Sequence, residues 1–175
     1  MNYGTIKWTD IANGEGVRVS LFVSGCTHHC KNCFNQVAWD FTYGSVFDEK
    51  VEEKVLEQLG LSYIAGLSLL GGEPLEPQNQ RALYPFIKRV RAQYPDKTIW
   101  CYTGYTLDVE KGLLKEEAKN TECTKELLSL MDVLVDGAYM EELKDVRLKF
   151  RGSSNQRIID LKKSLQIGQC VLYLE

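Results

Sequence analysis

Three of the chain's six cysteines and both of its histidines fall inside one short stretch, SGCTHHCKNCFN, from Ser24 to Asn35. The spacing is Cys26-x3-Cys30-x2-Cys33, which lets one loop aim three sulfurs inward. As thiolates these are ligands for soft metals. A [4Fe–4S] cube has four irons, so three cysteines leave one iron without a protein ligand, whereas clusters that only carry electrons usually have all four held by cysteine. An unfilled position invites a substrate, as the vacancy of a catalytic zinc does. Zinc is the alternative, with His28 or His29 completing a Cys3His set at the short intervals zinc sites use, and thiols without a metal are a third reading. If neither histidine is a ligand, both are neighbours placed to donate hydrogen bonds to sulfur and tune its potential.

A second chemistry-bearing stretch is Gly71-Gly72-Glu73-Pro74. Glycine pairs before proline commonly mark plain turns. Read functionally, Gly71 and Gly72 bare the backbone for close approach of a ligand, Glu73 offers a carboxylate suited to a cationic amine, and Pro74 stiffens the turn. Farther along, Asp136 is either a ribose-hydroxyl acceptor or a turn and helix cap. The run Arg151-Gly152-Ser153-Ser154-Asn155-Gln156-Arg157 is either a solvated loop or an anion cradle of backbone N–H groups and serine hydroxyls, Ser153 among them. Thr103 and Tyr105 read as pocket walls or as packing. Between Lys144 and Lys163 stand seven basic and two acidic residues, a face for solubility or for steering an acidic partner.

These loops need elements to hold them. Val17 to Gly25 reads as a strand with Val17, Val19, Leu21 and Val23 on one face. Asp48 caps a helix whose stripe is Val51, Val55, Leu56 and Leu59. Leu67 to Leu70 is a short buried strand, 79–93 a helix, Lys97 to Tyr102 a third strand, Thr124 to Met131 helical, and Asp132 to Gly137 a fourth strand. Beyond it, RLKF, RIID and CVLYL are weaker strand candidates. Strand and helix in alternation imply crossovers and a parallel sheet, whose chemistry gathers beyond the carboxyl ends of the strands. The two motif loops, Thr103-Gly104 and Asp136-Gly137 all follow strand ends, so all four would face one mouth.

The 175 residues, 44% of them hydrophobic, suit one domain spanning 1–175 with a core of its own. A formal net charge of −3 argues against direct nucleic-acid binding. No basic-then-apolar leader and no run of about 20 apolar residues is present, so the expectation is a soluble, cytoplasmic protein with no membrane contact. In that compartment tight cysteine spacing means metal or redox chemistry rather than disulfides. The scattered Cys101, Cys123 and Cys170 read as small buried hydrophobes.

The three-cysteine loop followed by Gly-Gly-Glu-Pro resembles the radical S-adenosylmethionine superfamily. The stretch NGEGVRVSLFVSGCTHHCKNCFNQVAW is similar to the opening of the glycyl-radical activating enzymes, and CYTGY, DVLVDG and FRGSSNQRIID look like the subfamily that activates anaerobic ribonucleotide reductase. The match runs from about Asn13 to Asp160. The resemblance implies an incomplete parallel (βα) barrel, open on one side, with a [4Fe–4S] cluster on Cys26, Cys30 and Cys33 and S-adenosylmethionine chelated at the open iron. It implies that Gly71, Gly72 and Glu73 hold the methionine amine. It further implies reductive cleavage to a 5′-deoxyadenosyl radical, which takes hydrogen from a glycine of anaerobic ribonucleoside-triphosphate reductase, with a one-electron donor such as a flavodoxin. Two positions depart from the pattern. Asn32 stands where many members carry an aromatic residue beside adenine, leaving Phe34 or the backbone of Asn32 to Phe34 for that contact, and Glu15 stands where proline is common. Activation of another glycyl-radical enzyme, a zinc-stabilised binding module and a small electron carrier are the competing readings. The last is disfavoured because no fourth cysteine lies near the three.

Overall fold

The protein is described by a computed structural model covering residues 1–174. Its strands are β1 (Asn2–Asp10), β2 (Val17–Val23), β3 (Ser45–Val46), β4 (Ile64–Gly71), β5 (Thr98–Tyr102), β6 (Leu107–Asp108), β7 (Leu113–Leu114), β8 (Val133–Asp136), β9 (Arg157–Asp160) and β10 (Leu172–Leu174). Its helices are α1 (Glu49–Leu59), α2 (Pro77–Gln93), α3 (Thr124–Ser129) and α4 (Leu161–Ile167). Asp48 does cap α1, accepting from the Val51 N–H at 3.0 Å, and Pro77 opens α2 at a position where its missing N–H costs nothing.

Eight strands form one sheet in the order β10-β9-β8-β5-β4-β2-β1-β3. The four strands legible in the sequence (β2, β4, β5 and β8) are parallel neighbours. The flanks are antiparallel: β1 pairs with β2 and β3, and β9 with β8 and β10. The sheet is therefore mixed α/β, not purely parallel. The reason is local, because no helix intervenes between β1 and β2 or between β8 and β9, and without a crossover the chain must return antiparallel. RLKF forms no strand, while RIID becomes β9 and CVLYL contributes β10.

Strand alternation gives the sheet two different faces. Val19, Leu21 and Val23 of β2, Leu67 and Leu69 of β4, Ile99 and Cys101 of β5 and Leu134 of β8 share the main core with Val55 and Leu59 of α1, Leu83, Phe86 and Ile87 of α2, and Leu127 of α3. The opposite face carries a smaller cluster of Trp100, Val133, Val135 and Ile158, with Tyr102 and Phe150 against it. There, Arg18 is fully buried. Its guanidinium donates to the carbonyls of Glu15, Leu67 and Thr98 at 2.8–3.0 Å and to the Ser68 and Thr98 hydroxyls at 2.8 and 2.9 Å, and lies 5.5 Å over the Trp100 ring. Burial lowers its pKa to about 10, so it stays charged at neutral pH. Gly66 lies between Arg18 and Thr98 in the register, and lacking a side chain it lets the guanidinium reach across. Among the described residues no helix is long and apolar enough to cross a membrane.

A Cβ at Gly66 would stand 1.9 Å from the Thr98 carbonyl oxygen. Gly66→Ala is expected to cost about 3 kcal/mol by overpacking, lowering the thermal midpoint by roughly 6–12 °C in a chain of this size. Circular dichroism melting checks it, and an unchanged midpoint would contradict the close approach.

Candidate active site

One cavity of about 590 Å³ opens where β2, β4, β5 and β8 end. Cys26, Cys30 and Cys33 all line it, together with Gly71, Gly72 and Glu73, and Thr103 and Gly104. The cysteine loop is closed at its base by Gly25 N–H to the Ala38 carbonyl (2.8 Å) and Cys26 N–H to the Trp39 carbonyl (3.2 Å), and tightened by Cys33 N–H to the Cys30 carbonyl (3.1 Å). His29 and Asn32 take left-handed backbone angles, φ 50° and 57°. That conformation explains the departure at position 32: asparagine tolerates it, and a bulky aromatic residue does so at a cost of about 1–2 kcal/mol.

Two buried carboxylates hold the loops together. Glu73, 1% exposed, accepts from the Leu75 N–H and the Thr103 hydroxyl through one oxygen (both 2.8 Å), and from the Gly104 N–H (2.8 Å) through the other, which also lies 2.7 Å from His28 Nε2. Glu76 accepts from the Thr27 N–H (2.9 Å) and hydroxyl (2.5 Å), the Tyr105 hydroxyl (2.7 Å) and Lys119 Nζ (3.0 Å). The cysteine loop, the Gly-Gly-Glu-Pro turn and the Thr103–Tyr105 turn thus meet on these two side chains. Burial of Glu76 favours its neutral form, but the donors from Thr27, Tyr105 and Lys119 outweigh it and lower the pKa. For His28 burial opposes protonation, and the hydrogen bond to Glu73 overrides it, raising the pKa.

Burial, with the nearby Glu73 carboxylate, pushes the Cys26 thiol up to about 12, and burial and Cys33 raise Cys30. Thiolate formation here needs a cationic partner, and metal loading must release protons. Among the described residues no three His, Cys, Asp or Glu side chains gather closely enough to hold a single metal ion. Three thiols on one cavity are the donors an iron–sulfur cube takes, each on a different iron. The donor set fits the cluster. His28, which lines the cavity, is tied to Glu73 with its ring tilted against Tyr105 at 4.3 Å, and the His29 ring lies tilted against Trp39 at 4.4 Å.

Of the remaining expected site residues, Asn32 and Phe34 line the cavity. Asp136 and Ser153 do not. Asp136 has the parity of Leu134 on β8 and so points to the helix side of the sheet, where it binds Arg157 (2.9 and 2.5 Å) and the Leu107 N–H (2.8 Å). Both oxygens are occupied within the chain. Ser153 is fully buried, accepting from the Met140 N–H at 3.2 Å. Gln156 and Asn155 likewise bind the backbone of Gly152, Gly137 and Ala138. Thr103 is a wall residue, while Tyr105 packs behind the wall through Glu76. The sequence reading missed Asn13, Trp39 and Tyr139 on the wall. It also missed Glu76, for which the repeat Glu73-Pro74 and Glu76-Pro77 was an available signal.

Glu76→Gln retains the size but places an amide N–H₂ among four donors. It is expected to cost about 2 kcal/mol, or roughly 4–8 °C in thermal midpoint, and to lower iron retention. Because the folded-state pKa is depressed below the ordinary 4.5, the Glu76 contribution is present above that value and lost as pH falls through the folded one. The midpoint gap between the metal-free wild type and variant should therefore narrow as pH is taken from 7 towards 4; a gap independent of pH would contradict the assignment.

Comparison with known proteins agrees with this geometry. A model of the 4Fe-4S single cluster domain family matches residues 12–159. The chain is 46% identical over 160 residues to the anaerobic ribonucleoside-triphosphate reductase-activating protein of Pasteurella multocida, covering 90% of this chain and 96% of that one. It is 39% identical over 164 residues to the protein of the same name from Escherichia coli K12 (93% and 100% covered), and 39% identical over 158 residues to that of Enterobacteria phage T4 (90% and 93%). With three thiols on one cavity and likeness along nearly its whole length, the chain belongs to the family of 4Fe-4S anaerobic ribonucleoside-triphosphate reductase-activating proteins.

Proposed function

We propose that this chain is a glycyl-radical activating enzyme that uses a [4Fe–4S] cluster and S-adenosylmethionine to place a radical on a glycine of anaerobic ribonucleoside-triphosphate reductase. The observation that carries the reading is the shared cavity of Cys26, Cys30, Cys33 and the Gly71–Glu73 turn in a chain of this family. When bound, the cluster supplies one electron to S-adenosylmethionine, whose cleavage yields the 5′-deoxyadenosyl radical that takes the glycine hydrogen.

The chain's own residues bind, orient and shield. Cys26, Cys30 and Cys33 would hold the cluster through their thiolates. Gly71, in a left-handed conformation at φ 111°, and Gly72 bring bare backbone to that end. Glu73 acts indirectly: its oxygens are taken by Leu75, Thr103, Gly104 and His28, so it orients the turn and leaves the amine to the turn's backbone. The backbone of Asn32 to Phe34 forms the adenine side. The inner face, closed below by Arg18 and Trp100, keeps water from a reactive intermediate.

The finer architecture extends the same reading. Residues 1–175 form one radical S-adenosylmethionine domain, in which parallel β2, β4, β5 and β8 are part of an incomplete barrel, open on one side so that a protein substrate can enter. Hydrogen transfer needs reacting atoms roughly 3–3.5 Å apart, so the glycine must come into the cavity. The enzyme works in the cytoplasm and takes its electron from a one-electron protein donor such as a flavodoxin.

Reduced protein, S-adenosylmethionine and the reductase mixed without oxygen should give an organic radical signal on a reductase glycine; colourless, zinc-loaded protein that leaves S-adenosylmethionine intact would overturn the reading. Replacing any one of Cys26, Cys30 or Cys33 with Ala should reduce cleavage at least a hundredfold. Cys123→Ala, in the core behind α3, should leave it within about twofold; equal losses would defeat the ligand assignment.

A further inference from the structure

The segment between β8 and β9 is a flap. Residues 143–145 pair back on 152–154 through Ser154 N–H to the Leu143 carbonyl (3.0 Å), Asp145 N–H to the Gly152 carbonyl (3.4 Å) and the Lys144–Ser153 bridge. Its base is fixed by Ser153, Asn155 and Gln156 as described, and Phe150 anchors it by packing edge-on to Trp100 at 5.4 Å. Phe150 does so at φ 56°, a conformation unfavourable to an aromatic residue. A loop this firmly tied is presented, not left to wander. The polar FRGSSNQR motif builds that support.

What the flap presents is apolar. Val146 at its tip is 89% exposed and yet lines the cavity; Phe34 on the cysteine loop is 92% exposed and lines it too. Val37, Met140 and Leu143, in the same two segments, are also exposed. Scattered apolar surface residues need no explanation, but here five sit in the two segments that border one opening. Much of the charge in this segment is already paired. Of the seven basic residues between Lys144 and Lys163, five pair with carboxylates of this chain: Lys144 with Glu141, Arg147 with Asp145, Arg157 with Asp136, Lys162 with Asp132 and Lys163 with Asp160.

Resting on the proposed function, we infer that Val146 and Phe34 are the two jaws of an apolar clamp for the glycine-bearing segment of the reductase, which they grip through apolar side chains flanking the glycine. The occupant follows from continuity. A glycine that reaches the cysteine end of the cavity must bring its neighbours, at about 3.3 Å per extended residue, past the opening these side chains border. The flap is thus the specificity element for the protein substrate, separate from the residues that hold cluster and cofactor.

The test variant is Val146→Asp, on a tip too exposed to disturb folding. Tyr63→Asp is the control: this residue is also exposed, at 57%, but precedes β4 at the end of the sheet away from the cavity. Iron content, thermal midpoint and partner-free cleavage of S-adenosylmethionine should match wild type in both variants. Reductase affinity by calorimetry should weaken about tenfold or more for Val146→Asp, with KM for activation rising in step. It should be unchanged for Tyr63→Asp and restored in Val146→Leu, and added salt should have little influence on wild-type affinity. Wild-type affinity in Val146→Asp would overturn the clamp. So would partner-free cleavage falling in parallel with activation, which would place Val146 in the cofactor site, or a shift in self-association with no change for the reductase, which would assign the patch to a second copy. If wild type itself forms no glycyl radical, the functional reading fails, while calorimetry still decides whether Val146 contacts the reductase.

Discussion

Two buried carboxylates, three positions apart in the chain, organise the mouth of this molecule. Glu73 and Glu76 gather donors from three separate strand-end segments, and neither is free to turn towards a ligand while it does so. A carboxylate with so many donors in a low-dielectric setting is worth more than its surface counterpart, and leaving it unpaired would be costly. The cysteine loop has few packing contacts of its own: Cys30 and Cys33 are only half-buried. Its position depends on Thr27 bound to Glu76, on His28 bound to Glu73, and on the backbone bonds of Gly25 and Cys26 at its base. The residues most naturally assigned to ligand contact from sequence are therefore, in part, the framework that places the ligands.

This distinction explains what could be read from the sequence. The cysteine spacing, the glycine turn and the four central strands were legible because each is local: thiol intervals, a run of bare backbone, and short β-rich runs between helical stripes. The direction of Asp136 was not legible because a strand-end carboxylate looks the same on either face; only the pairing of Leu134 into the helix-side core settles which way β8 points. The supporting bonds of Ser153, Asn155 and Gln156 were hidden because a row of hydroxyls and amides suggests an anion site, and only the fold reveals their backbone partners. β1 was missed because its side chains are largely exposed or half-buried, so no alternation announces it, and its existence depends on pairing with β2. The antiparallel return of β2 beside β1 and of β9 beside β8 was hidden likewise, because no α-helix crosses over between them.

The two faces of the sheet divide the labour. The helix side is an ordinary core of branched and aromatic side chains, and it makes the four parallel strands rigid. The other face is filled unequally. At one end Arg18 closes it, using a glycine at position 66 to reach carbonyls across three strands. At the other end Phe22, Leu70 and Tyr102 stop short and leave the cavity. A charged plug is a poor source of net stability compared with an apolar one of equal volume, but it can satisfy strand carbonyls that an apolar side chain would leave unpaired. Closure below and opening above are consequences of the same strands.

That asymmetry also bears on why a protein, and not a small molecule, is the fitting substrate. A cavity with one opening, bordered by exposed apolar side chains on two differently supported segments, is only complete when something large covers it. The cysteine loop is held by carboxylates and the flap by hydroxyl and amide struts, so the two jaws are rigid for independent reasons and neither relies on the other to stay in place. A highly reactive carbon radical needs its target in contact and water kept out, conditions that closure by the substrate itself supplies at the moment of need. The exposed apolar border, unfavourable in the isolated chain, is then the part of the surface whose burial makes docking favourable.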